Sequence, residues 1–166
     1  VNRAGEILVS EYGHVDRVQR FSADGGKLLD VIGHYGYGPG QFNRPEGLGI
    51  DKEGRVYVAD SCNHRIQVFG PDGLLLRSYG APGRNQGQMS YPYDVCVDAS
   101  GNQFVCEFGN SRIQVFDYEF RPVEVIGGPG RAPVQFANPW SVALDSAGNL
   151  YVADAGNDRV QKLIRQ

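Results

Sequence analysis

The chain has 166 residues, 41% of them hydrophobic and 21% charged, with 16 basic side chains against 19 acidic ones for a net charge of −3. That length suits one domain, and that composition is globular rather than disordered. The slightly acidic balance removes the simplest nucleic-acid reading, which needs a basic domain, and no apolar run approaches the roughly 20 residues that cross a bilayer. Glycine stands out at 23 residues, beside 9 Tyr and 8 Phe. Such a mixture points to short strands joined by tight turns.

The chain opens at Val1 without an initiator Met, so a secretion signal is expected upstream if there is one. Residues 6–10 read as a first strand and Arg17 opens the next. Gly33-His34-Tyr35-Gly36-Tyr37-Gly38-Pro39-Gly40 follows as a Gly-rich stretch. It lacks the Lys-Ser/Thr ending of a phosphate-binding loop and no helix follows it, so it reads as a connecting loop. Residues 47–51 alternate as a strand, and Asp51-Lys52-Glu53-Gly54 fits a type I turn, with Asp at its first position and Gly at its last. Residues 55–60 form the next strand, Ser61-Cys62-Asn63-His64 a polar loop, and residues 65–69 a third strand. After Asp72-Gly73 a fourth strand spans residues 75–79. No helical period is visible anywhere.

This unit then repeats. Pro45, Pro92 and Pro139 stand 47 residues apart, as do Gln41, Gln88 and Gln135, and Asp51, Asp98 and Asp145. Gly54, Gly101 and Gly148 keep the period, and so do Arg65, Arg112 and Arg159, with an earlier copy at Arg17. Four short antiparallel strands in 47 residues are the size of one β-propeller blade. Blades stack face to face, which explains why Val56, Tyr57, Val58 and Ala59 run on without a charge. The expected fold is all-β: a partial ring of three and a half four-stranded blades. Its units are a partial blade plus loop at 1–42, blades at 43–89 and 90–136, and a partial blade at 137–166.

The loops that end each second strand carry Asp60-Ser61-Cys62-Asn63-His64-Arg65-Ile66-Gln67-Val68-Phe69, Glu107-Phe108-Gly109-Asn110-Ser111-Arg112-Ile113-Gln114-Val115-Phe116 and Asp154-Ala155-Gly156-Asn157-Asp158-Arg159-Val160-Gln161. With the Gly38-Pro39-Gly40-Gln41-Phe42 stretch, these resemble the NHL-repeat family of β-propellers. The resemblance implies a closed ring, commonly of six blades, that serves mostly as a binding platform. Three and a half blades fall short of such a ring. The expectation is therefore that further blades or a second copy complete it. If a blade interface hides about 500 Å² of apolar area, leaving it open forgoes about 12 kcal/mol.

An acid–arginine pair recurs in every copy: Glu11 with Arg17, Asp60 with Arg65, Glu107 with Arg112, and Asp154 with Arg159. A catalytic site is singular whereas a scaffold repeats, so these pairs read as structural ties. What differs between copies points elsewhere. Loops joining strands two to three, and strand four to the next strand one, should share one rim of a propeller. On that rim Tyr12, Arg44, His64, Tyr91, Tyr93, Phe108 and the single Trp140 form the candidate binding surface, because Tyr, Trp and Arg dominate binding hot spots. The expected partner is a protein or peptide.

Two other readings come with the family resemblance. Some members bind single-stranded RNA on this rim through basic and aromatic side chains, but here the rim holds one Arg outside the repeated pairs. Some relatives are metal-dependent lyases, and other six-bladed propellers are metal-dependent hydrolases. Glu46 and Asp94, near the entry of first strands, are the carboxylates that could approach a central channel. His14, His34 and His64 show no zinc spacing, and Cys62, Cys96 and Cys106 form no CxxC pair. No catalytic residue, metal or cofactor is assigned, and the cysteines read as small apolar thiols with at least one left free.

Overall fold

A computed structural model describes residues 1–165 as four antiparallel sheets in chain order. The first holds β1 (Ile7–Glu11), β2 (Arg17–Phe21) and β3 (Leu28–Ile32). The second holds β4 (Pro45–Ile50), β5 (Val56–Asp60), β6 (Arg65–Phe69) and β7 (Leu75–Tyr79). The third holds β8 (Pro92–Val97), β9 (Gln103–Glu107), β10 (Arg112–Phe116) and β11 (Pro122–Ile126). The last holds β12 (Ser141–Leu144), β13 (Leu150–Asp154) and β14 (Arg159–Leu163). The first sheet has the place of strands two to four of a blade and the last that of strands one to three.

The sheets fan out from one side. Neighbouring sheets approach most closely along their first strands, β4 beside β8 and β8 beside β12, while their outer strands diverge. A straight stack would keep all strands of adjacent sheets equally near. This is the radial packing of a β-propeller, and the ring is not closed within the described residues.

The hydrophobic core lies in three layers, one between each pair of adjacent blades. Val18, Ile32, Phe42, Val56, Val58 and Phe69 fill the first. Tyr57, Ala59, Ile66, Val68, Met89, Val95, Val105 and Phe116 fill the second, and Phe104, Cys106, Ile113, Val115, Phe136, Val142, Leu150 and Val152 the third. Strand alternation explains the division. Val56 and Val58 point to one neighbour and Tyr57 and Ala59 to the other, so β5 is buried on both faces.

The expected turns form: Gly54, Gly101 and Gly148 each donate their N–H to the carbonyl of the Asp three residues earlier, at 3.0 to 3.1 Å. Three details depart from the sequence reading. The inner strands begin at Pro45 and Pro92 rather than two residues later, because a bulge after each proline lets it pair one rung further out. Glu11 belongs to β1, which pairs it with Arg17 as the last rung. Short 3₁₀ turns occupy Ser61–Asn63 and Ala155–Asn157, too short to leave a period in the sequence.

Each Gly-rich loop folds back under its blade through a bridge between Tyr35 and Phe42, Pro82 and Met89, or Pro129 and Phe136. Phe42, Met89 and Phe136 are thereby fully buried between blades. Gly33 sits at φ +74°, where a Cβ would run into the Phe42 ring and lie 2.8 Å from the Gly40 carbonyl oxygen. Only glycine fits that turn.

Candidate functional site

The repeated acids organise the edge at which second strands end. Asp60 is fully buried and accepts hydrogen bonds from the Asn43 N–H at 2.8 Å, Asn63 Nδ2 at 2.9 Å, Arg65 Nε at 2.7 Å and Gln67 Nε2 at 3.1 Å. Arg65 in turn donates to the carbonyls of Gly38 and Gln41, and Gln67 also donates to the Gln41 carbonyl. One carboxylate therefore ties two strands, the 3₁₀ turn and the incoming Gly-rich loop together. Glu107 repeats this set with Ser90, Asn110, Arg112 and Gln114, and Asp154 with Ala137, Asn157, Arg159 and Gln161.

The acid–arginine pairs read from the sequence leave out the Asn and Gln members of these ties, although Asn63, Asn110 and Asn157, like Gln67, Gln114 and Gln161, keep the 47-residue period. The copies are not equivalent. Glu11 meets Arg17 at 2.9 Å with both side chains a third or more exposed. Burial raises the Asp60 carboxyl above its ordinary value despite its donors. At Asp154, burial also pushes upward, but the Ala137, Asn157, Arg159 and Gln161 hydrogen bonds prevail and hold it below.

The two loop types do share one rim. Ser61 and Cys62 N–H groups donate to the Arg44 and Asn43 carbonyls, Phe108 and Gly109 to Tyr91 and Ser90, and Gly156 to Ala137. The residue before each proline is held in the left-handed region, with φ of 60° at Arg44, 48° at Tyr91 and 48° at Asn138. This turn aims its carbonyl at the neighbouring loop and its side chain outward.

Five of the seven candidate residues meet in one row across all four blades. The Arg44 guanidinium lies over the Tyr12 ring at 5.1 Å and the Tyr93 ring at 5.4 Å. Tyr93 stacks on Phe108 with centroids 4.5 Å apart and planes 18° apart, and Trp140 leans towards Tyr93 at 6.4 Å. Glu46 holds Arg44 Nε at 2.7 Å, and the Asp16 carboxylate accepts the Arg44 N–H at 2.7 Å. The row's ends are open, with Tyr12 51% and Trp140 58% exposed. Burial raises the Tyr93 hydroxyl, only partly opposed by Arg44. It stays a neutral donor and acceptor.

His64 and Tyr91 stand apart from this row as a pair of their own. Their rings meet edge to face at 4.6 Å, and His64 Nδ1 accepts the Tyr91 N–H at 3.1 Å. Partial burial lowers the His64 pKa, in keeping with a neutral ring whose Nδ1 is an acceptor. The pair links the second blade to the third.

The two carboxylates weighed as metal ligands are engaged with the protein. Glu46 is taken by Arg44. Asp94 accepts Ser141 Oγ at 2.6 Å and the Val142 N–H at 3.0 Å, bracing β8 against β12, and burial raises its carboxyl. Among the described residues no group of three or more His, Cys, Asp or Glu side chains is arranged to hold a metal ion. All three cysteines are free; burial lifts the Cys96 thiol to about 12 and the Cys106 thiol well above its usual range. These thiols stay protonated and unreactive at neutral pH.

The NHL-repeat family model matches residues 42–69 and 136–163. Protein wech of Drosophila melanogaster is 55% identical over 40 residues, 24% of this chain and 5% of that protein. The human NHL repeat-containing protein 3 is 39% identical over 74 residues, 43% of this chain and 21% of that protein. The matches thus span 5% and 21% of these relatives' own length. Among solved structures, a streptogramin B lyase superposes with a TM-score of 0.74 at 18% identity, covering 98% of this chain and 49% of the lyase chain. The WD40 β-propeller domain of Doa1 superposes at 0.70 with 15% identity, covering 100% of this chain and 48% of the other. At such identities the likeness is one of fold alone, and that fold is the propeller.

Proposed function

We propose that this chain, which carries NHL repeats in an unclosed β-propeller, is a non-catalytic platform that holds a protein or peptide partner along its loop rim. The carrying observation is the division of labour between repeated and varied positions. The acid–arginine pair recurs in every copy, and in the three buried copies it is spent on holding loops. The residues that differ between copies supply the Tyr12–Arg44–Tyr93–Phe108 row and Trp140. Large planar side chains held by stacking lose little conformational freedom when a partner lands on them.

A displayed random-peptide library selected against the chain tests this reading. Selected peptides should bind the wild type and lose about tenfold or more against a Tyr12→Ala/Trp140→Ala double variant, the scale of a hot-spot loss. Peptides that bind both proteins equally would place recognition elsewhere. A gel shift with a single-stranded RNA pool at low salt gives the competing outcome, since phosphate-driven binding is strongest there.

A further inference from the structure

Trp140 and Tyr93 hold the same position in successive repeats, directly after the repeat proline. Tyr93 has a guanidinium over its ring, supplied by Arg44 of the preceding blade. Trp140 has none among the described residues. The residue that would supply it, Tyr91, stands where Arg44 stands one repeat earlier, and it turns to His64 instead. The better aromatic surface for a cation is therefore left open at 58% exposure, in a row whose neighbouring member is already covered.

The charges around the row point the same way. Glu46 and Asp16 contact Arg44, and Asp94 directly follows Tyr93 and bonds the residue after Trp140. Three carboxylates and one guanidinium thus line this stretch: Glu46 pairs with the guanidinium, Asp16 accepts the Arg44 backbone N–H, and Asp94 holds neutral donors only. That balance repels phosphate and favours an incoming cation.

We propose that the open Trp140 face, flanked by Tyr93 and Asp94, takes an arginine side chain of a peptide partner, repeating in trans the stacking that Arg44 makes on Tyr93 within the chain. This deepens the rim-binding reading and rests on it. Guanidinium is preferred to ammonium because its plane lies flat on an indole while its edge donates to a carboxylate.

The test uses the chain's single tryptophan as its reporter. A short Gly/Ser peptide carrying two arginines is titrated while Trp140 emission is followed, beside versions with lysine or glutamate in the same places. The arginine peptide is expected to change the emission saturably, the lysine form to bind more weakly and the glutamate form not at all. With a fluorescently labelled arginine peptide, Trp140→Leu is expected to weaken binding about threefold to thirtyfold, the range of a single cation–π contact. Tyr118→Leu, at an exposed aromatic in the turn between β10 and β11, is expected to leave it unchanged.

Binding of the lysine or glutamate peptide at Trp140 as tight as that of the arginine peptide overturns the arginine assignment and leaves the rim reading standing. Retention of single-stranded RNA in place of any peptide overturns both. So does a flat Trp140 signal with every peptide into the millimolar range, joined to a peptide library that returns nothing sensitive to Tyr12 and Trp140.

Discussion

Asp60 and Arg65 face each other across the last rung of the β5–β6 ladder, Nε 2.7 Å from Oδ2, with the carboxylate wholly buried. The pair is more than an ion pair, because the same carboxylate takes three further donors from the turn, the loop and the third strand. Its equivalent in the first sheet, Glu11 with Arg17, lies open to water.

That contrast predicts unequal costs for one chemical change. Asp60→Ala takes one acceptor from each of Arg65, Asn63 and Gln67, leaves the largely buried guanidinium without its counter-charge, and should cost about 3–5 kcal/mol, as breaking a buried pair from one side does. Glu11→Ala removes a half-exposed pair and should cost about 1 kcal/mol or less. Urea denaturation of both variants reads the difference. Equal losses would mean that the tie works through charge alone and that burial adds nothing.

Gly47 shows a second constraint of the inner strands. A Cβ there would collide with the Asp94 carboxylate and come within 2.7 Å of the Asp94 Cα. Backbone cannot yield as a side-chain tip does, so Gly47→Ala should push β4 away from β8 and cost about 1–3 kcal/mol. A change within a few tenths of a kcal/mol in the same denaturation assay would show that the two blades have slack at this point.

The repeat makes most of this architecture legible in the sequence. A period of 47 residues placed each strand to within about two residues, and the alternation within β5 foretold burial on both faces. The bulges after Pro45 and Pro92 were hidden because a bulge is a matter of pairing, which one strand's sequence does not record. Asn63 and Gln67 keep the period, but a neutral amide at a periodic position carries no sign of which acceptor it will meet. The rim is the opposite case. Its residues were found by their failure to repeat, yet which of them touch depends on loop geometry. Tyr91 shares its left-handed turn with Arg44 one repeat earlier, yet Arg44 reaches over Tyr93 whereas Tyr91 turns to His64, so position in the repeat alone does not set the contact.

Asp94 ties stability to pH. Burial raises its carboxyl above the usual 3.8, and its nearest donors are neutral groups of Ser141, Val142 and Val95. A carboxyl whose folded pKa is raised favours folding while it is protonated. That contribution is present below its unfolded pKa and fades as pH rises through the folded value. Asp94→Asn keeps an acceptor for Ser141 and Val142 but does not ionise. Its urea midpoint relative to wild type should therefore climb as pH is raised from 4 upward and then level off. A difference that stays constant across that range would mean that Asp94 titrates normally.

The outermost faces of the first and last sheets yield the final expectation. Val160 of β14 occupies the position of Ile66 and Ile113, both fully buried between blades, yet it is 69% exposed. Val9 and Val31 of the first sheet are likewise more than a third exposed. Each of these faces has the alternation and apolar character of the faces that pack inside the molecule, so a second copy can cover them by the same sheet-on-sheet contact. Multi-angle light scattering of this chain should then report a dimer or larger assembly. Val160→Lys should shift it towards the monomer, since a charge carried into that layer would be buried unpaired. A stable, monodisperse monomer for the wild type would show that water covers these faces at a cost the three inner layers can bear.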